Sequence, residues 1–185
     1  MTSEKLRAVA ISRWFQPSRS CSRTTSRCTS GSVARAVVRR SALSRCSARP
    51  HGLGSEVSIR QHRLAADERA ALGGADSAPN PVELILAALG TCQEITYRAY
   101  ATAMGIPLDS VSVELAGDID LRGFFAVDES VRSGFQNIRG TVTIESGASE
   151  AELQKLRAVV DAHCPVLDIL TNKVPVWLSL AIKAG

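Results

Sequence analysis

The sequence predicts an α+β fold, a long helix packed against antiparallel strands, rather than a regular βαβ series. Three observations carry this. A nearly continuous apolar run, Val82 to Cys92, follows a helix-start signal at Asn80-Pro81. Two later stretches, through Val111–Leu115 and Ile138–Ile144, hold the alternation of half-buried strands. A second helix-start signal at Ser149 opens another periodic apolar stretch. The predicted order is strand, long helix, strands, helix, strand, and 185 residues suit one domain of ordinary size.

Taken in order, Val57, Ile59 and Leu64 predict a first strand, followed by a polar turn at Ala66–Arg69 and the glycine pair Gly73-Gly74, placed to permit a turn with positive φ. Asn80 is a good N-cap, Pro81 fits the first helical position, and Glu83 stands three after the cap, where its carboxylate can close a capping box. The helix runs through Leu84, Leu89, Cys92, Ile95 and Ala99 to about Met104 and stops at Gly105 and Pro107. Its first half is apolar almost all round, which predicts a buried central helix. Gly90 permits close approach of a neighbour or simply tight packing.

Val111, Val113 and Leu115 predict a strand, Phe124–Val127 a second, and Ile138–Ile144 a third. Ser149 and Glu152 form another capping box, opening a helix that carries Leu153, Leu156, Val159 and Val160 on one face and ends at His163-Cys164-Pro165. Val166–Leu170 adds a helical turn. Val174, Val176, Leu178, Leu180 and Ile182 predict a closing strand, with Pro175 near its start.

Charge divides the chain. Residues 1–50 carry eleven Lys+Arg against Glu4 alone, whereas residues 51–185 carry eleven against seventeen Asp+Glu. The basicity that would invite a nucleic-acid reading belongs to the first part, and the patterned part is acidic, so no nucleic-acid partner is expected. From Ile11 to Pro50 there are ten Ser, nine Arg, no acidic residue and no sustained apolar period. Residues 1–54 are therefore set apart from a folded domain at 55–185. The basic segment reads as a disordered tail, an Arg- and Ser-rich transit peptide, or a stretch outside the gene's native frame; the abrupt change of composition near Gly54 favours the last. No apolar run is long enough for a transmembrane helix, so no membrane partner is expected. Five scattered cysteines do not make the framework of a small secreted domain, and a cytoplasmic location is expected.

Cys92 within the long helix and Cys164 at the end of the second are the chemically informative pair. A sulfenic acid formed on one sheltered cysteine can condense with another to a disulfide, so thiol redox chemistry leads. A purely structural reading stays open for both, since free cysteine is among the most buried residue types. His163 reads as a capping or surface histidine. With three histidines, no Cys-x-x-Cys and no Gly-x-Gly-x-x-Gly, neither a metal nor a cofactor is expected.

The glycine pair, the Asn80-Pro81-Val82-Glu83-Leu84 helix start, Cys92 nine residues after Glu83, and the later His163-Cys164-Pro165-Val166 together resemble the OsmC/Ohr family of thiol peroxidases, over about residues 55–185. The resemblance implies an OsmC-like α+β fold in which two chains intertwine as a homodimer, central helices packed together and sheets around them. It implies that Cys92 is the peroxidatic cysteine and Cys164 the resolving one, that the substrate is an organic hydroperoxide or hydrogen peroxide, and that an external thiol resets the enzyme as part of an antioxidant response. A thiolate is required, and a free cysteine with a pKa of about 8.5 is mostly protonated at pH 7. The helix dipole cannot supply the charge: Cys92 lies roughly 16 Å along the axis from Pro81, and the dipole effect fades within a turn. In the family an arginine from the N-terminal strand region does so, held by a glutamate one position before Glu83; here that position is Val82. Arg63, ahead of Arg60, is the candidate cation, with Glu83 the carboxylate that remains nearby. Val82 also fits the alternative, a non-catalytic OsmC-like dimer that binds a small hydrophobic ligand.

Overall fold

The computed structural model describes residues 43–183; the readings made of residues 1–42 lie outside them. The chain divides between Leu84 and Ile85 into two compact units, although one helix runs through the division.

The described part of the first unit, 43–84, is a three-stranded antiparallel meander, β1 (Ser44–Ala48), β2 (Ser55–Ile59) and β3 (His62–Ala66). Two expectations change here. The single strand expected through Leu64 is two strands, because Arg60 enters the left-handed region at φ 55° and turns the chain, setting Val57 opposite Leu64. Ser44–Ala48, inside the segment read as lacking regular structure, is a strand: every residue of it is exposed, so no apolar alternation marks it, and backbone pairing with β2 (Cys46 opposite Val57) defines it instead. After β3 a turn of 3₁₀ helix, Ala70–Leu72, ends on Gly73 at φ 88°.

The loop from Asp67 to Asn80 is closed by its own hydrogen bonds. The amide of Asp67 donates to the Pro79 carbonyl and that of Asp76 to the Glu68 carbonyl. The buried Asp67 carboxylate accepts from the amides of Glu68 and Ser77 and from the Ser77 hydroxyl. These donors, the Ser77 hydroxyl foremost, hold its pKa down at about 2.

Helix α1 (Pro81–Met104) opens on the expected capping box: Glu83 N–H donates to Asn80 Oδ1 and Asn80 N–H to Glu83 Oε2, each at 2.9 Å. It ends at Gly105, φ 70°, where the Ile106 amide reaches back to the Ala101 carbonyl. The second unit continues with the antiparallel pair β4 (Ser110–Ile119) and β5 (Phe135–Glu145), Val113 opposite Val142. Between them lies one helical turn, α2 (Leu121–Phe124); α3 (Glu150–His163) and α4 (Pro165–Thr171) follow. Tyr97 and Ala101 of α1 pack with Ile106, Val111 of β4, and Leu156 and Val160 of α3 to form the core. The Ser149/Glu152 box caps α3 as expected.

The α+β class stands, with three departures in this unit. Phe124–Val127 is no strand: Asp120 accepts from the Arg122 amide and caps a helical turn there, and Ala126 lies at φ 53°. Helix α1 is buried on one face only, that of Leu89, Gln93, Thr96, Tyr97 and Ala101; Ile95 on another face is 63% exposed. The closing strand from Val174 to Ile182 does not form. That segment is exposed throughout, with no strand partner among the described residues, and a strand without a partner leaves its ladder groups unpaired.

Candidate functional site

The second unit brings Cys92 and Cys164 together. Cys92 is on the fourth turn of α1, at the edge of its buried face, and is half-buried. Cys164 sits at the elbow between α3 and α4, capping both: its amide donates to the Val160 carbonyl and its carbonyl accepts from the Asp168 amide. Pro165 forces this break, since it has no amide to continue α3 but fits the first position of α4. The elbow and the packing of Leu156 and Val160 under Tyr97 leave the Cys164 side chain 1% exposed.

The two sulfurs are 3.4 Å apart, with the Cys164 thiol donating to Cys92. A disulfide bond is about 2.05 Å long, so the reduced pair needs about 1.4 Å of approach to close it. Burial pushes the Cys164 thiol above its ordinary pKa; the amides of Leu167 and Val166, directed at its sulfur, counter this in part, and the neighbouring Cys92 adds to the rise. Cys92 is the more accessible of the two residues. Among the described residues no guanidinium hydrogen-bonds to either sulfur. His163 stacks on Tyr100, ring centroids 5.5 Å apart, extending the contact of α3 with α1.

The other expected residues belong to the first unit. Arg63, on β3, donates to the Ser58 hydroxyl across the hairpin at 2.8 Å. Glu83 accepts from Asn80 with one carboxylate oxygen and from Arg69 with the other, at 2.5 Å. The Arg69 guanidinium, then the Asn80 amide, hold the Glu83 pKa below its usual range. Sequence reasoning missed Arg69: it lies in a loop, and no motif links it to a carboxylate fourteen residues on.

A groove of about 290 Å³ lies between α1 and β4, lined by Leu86, Ala87, Gly90, Thr91, Glu94, Val113 and Leu115. By helical periodicity its α1 residues occupy a different face from Cys92. Among the described residues no group of three or more His, Cys, Asp or Glu side chains is arranged to hold a metal ion, and no helix is long and apolar enough to cross a membrane.

The family model described as OsmC-like protein matches residues 74–179. Among solved structures, the OsmC-like protein of Mycoplasma pneumoniae superposes with a TM-score of 0.62 at 17% identity, covering 71% of this chain and 88% of its own. An organic hydroperoxide resistance protein OsmC from Legionella pneumophila gives 0.55 at 21%, covering 71% and 89%. An organic hydroperoxide resistance protein from Elizabethkingia anophelis gives 0.55 at 18%, with the same coverage of both chains. At these identities the structural likeness is one of fold. No curated protein matches the chain.

Proposed function

The chain belongs to the OsmC-like protein family, and from that premise we propose that it is a cysteine-based peroxidase that reduces organic hydroperoxides or hydrogen peroxide. The observation that carries this is the 3.4 Å approach of two sulfurs seventy-two residues apart. Family neighbours named as organic hydroperoxide resistance proteins support it.

In this reading the Cys92 thiolate attacks one peroxide oxygen. The S–O bond forms as the O–O bond breaks, an alcohol or water leaves with a proton, and Cys92 becomes a sulfenic acid. Cys164, already against that sulfur and screened from solvent, displaces the oxygen as water and forms the disulfide. Two electrons pass from the thiol pair to the peroxide, and an external thiol returns them. Arg63, and Arg69 held by Glu83, are the proposed sources of the positive charge that favours the thiolate. Mass spectrometry of the purified chain before and after one equivalent of cumene hydroperoxide is the test. Loss of two hydrogens and a Cys92–Cys164 cross-linked peptide are expected; free thiols at both positions would end the proposal.

The homodimer is part of the same reading. Ile85, Ala88, Cys92, Ile95 and Ala99 recur along α1 at alternating spacings of three and four, the seam that pairs one helix with another. Ile85 and Ile95 of that seam are exposed, and a second copy of α1 is its proposed partner. One observation favours the alternative of a ligand-binding protein: the α1–β4 groove, where Leu86, Val113 and Leu115 face a volume that Thr91 and Glu94 also line, is one that the thiol chemistry does not use.

A further inference from the structure

We propose that Cys92 and Cys164 together form a chelating site for a monosubstituted trivalent arsenical, a compound whose arsenic carries one carbon group and two exchangeable oxygens. Only the reduced thiols are needed, so this goes beyond the peroxidase reading and is independent of it. The spacing of the sulfurs carries it. At 3.4 Å they are not bonded to each other, yet they are close enough to share one bridging atom. With bonds of about 2.3 Å, the length of a metal–thiolate bond, an atom joined to both sulfurs subtends an angle of about 95°. That angle suits a pyramidal atom whose lone pair holds three single bonds near right angles, as in trivalent arsenic. A tetrahedral zinc ion opens the angle and asks for further protein ligands, and among the described residues no group of three or more His, Cys, Asp or Glu side chains is arranged to hold a metal ion. Copper(I), held in a line by two thiolates with bonds of that length, would need the sulfurs about 1.2 Å farther apart. Two protein sulfurs fill two of the three bonds on arsenic, so the ligand must bring the third, its carbon group.

The surroundings keep this spacing. Cys164 is buried, its backbone caps α3 and α4 at once, and Pro165 fixes the elbow. The amides of Leu167 and Val166 are directed at its sulfur, where they support the charge carried as the proton leaves. Cys92 lies on regular helix, with the Thr96 hydroxyl donating to its carbonyl at 2.6 Å. A disulfide requires the sulfurs to approach, whereas a bridging arsenic takes them where they stand, so the reduced pair is preorganised for the bridge. Cys164 closes one side of the pair and Cys92 is open on the other, which directs the third bond and its carbon group outward. In the reaction each sulfur forms a bond to arsenic as an arsenic–oxygen bond breaks, and the two thiol protons leave with the two oxygens as water. Arsenic stays trivalent and neither sulfur is oxidised, so no oxidant or reductant is consumed.

Phenylarsine oxide, which water converts to its dihydroxy form, is the probe. It is titrated into the reduced full-length chain carrying Cys21→Ser, Cys28→Ser and Cys46→Ser, so that only the pair can respond. One equivalent should remove both remaining thiols and link the Cys92 and Cys164 peptides through phenylarsenic. The bridge should be reversed by 2,3-dimercaptopropanol and resist glutathione at the same concentration. Adding Cys92→Ser or Cys164→Ser should weaken binding roughly a hundredfold or more, the usual gain from holding two binding groups together. Unfolding in urea should weaken it roughly tenfold or more, since the ligand must then close the loop between the cysteines. Thiols that stay free, a serine variant that binds as tightly as the pair, or an unfolded chain that binds as tightly as the folded one each overturn the proposal. If a serine variant does not fold, the comparison of the folded with the unfolded parent decides. A chain that captures the arsenical and ignores cumene hydroperoxide loses the peroxidase reading alone, and one that reduces the hydroperoxide without capturing the arsenical loses this inference alone.

Discussion

The Cys164 sulfur lies 3.4 Å from that of Cys92, buried where Cys92 is half open. In the proposed reaction the accessible sulfur takes the oxidant and the sheltered one closes the bridge. Cys92→Ser should therefore abolish thiol loss on exposure to hydroperoxide. Cys164→Ser should retain the first oxidation and accumulate a sulfenic acid that dimedone labels at position 92. Labelling that fails in Cys164→Ser but persists in Cys92→Ser would reverse the assignment.

Burial raises the Cys164 pKa, which gives a stability signature with a definite sign. The unfolded chain releases that proton from about pH 8.5 upward, whereas the folded chain holds it to a higher pH. The contribution to stability is intact below pH 8.5 and is lost as pH rises through the folded value. Denaturant midpoints of the reduced protein should fall more steeply across this alkaline range than those of Cys164→Ala.

Asp67 predicts the opposite slope in acid. Its pKa is held at about 2, chiefly by the Ser77 hydroxyl, against about 3.9 for an unfolded aspartate. The stability it provides is present above about pH 4 and lost as pH falls through about 2. Ser77→Ala removes the leading donor, so the Asp67 carboxyl resonance should titrate at higher pH in that variant. An unmoved titration would count against the role given to Ser77.

The exposed pair of Arg69 with Glu83 contributes little to stability, since solvent screens it. Arg69→Ala and Arg63→Ala should thus leave melting temperature nearly unchanged. In the proposed reaction a guanidinium favours the Cys92 thiolate, so at least one of the two variants should lose thiols to cumene hydroperoxide more slowly. Unchanged rates in both variants would remove both arginines from the proposed chemistry.

Along the α1 seam, Ile95 is 63% exposed, and Ile95→Glu should convert a dimer to a monomer in light scattering while leaving the circular dichroism of α1 in place. A chain that is monomeric before substitution would refute the seam.

Gly74 is fixed by space rather than by φ. A Cβ there would lie 1.9 Å from the Glu68 carbonyl oxygen, whereas one on Gly147 meets nothing within 4 Å. Gly74→Ala should cost more than about 2 kcal/mol and Gly147→Ala stay within about 0.5 kcal/mol, as read from urea denaturation.

Elements written in local chemistry were legible from the residues. The boxes of Asn80 with Glu83 and Ser149 with Glu152 join groups three positions apart, and Gly105 and Pro165 stop helices through their own backbones. Such signals need no knowledge of the rest of the chain. The sequence determined in this way the α+β class and the long helix and its ends. It misplaced what depends on a distant partner. Ser44–Ala48 is a strand because β2 lies beside it, Val174–Ile182 is none for want of such a neighbour among the described residues, and Phe124 follows a cap at Asp120 that outweighs its strand propensity. Only the tertiary structure decided that Cys164 meets Cys92 and that Glu83 takes Arg69. Each of these turns on how α3 settles on α1 or how a loop folds back, and packing of that kind is set by many weak contacts summed over the chain rather than by any short run of residues.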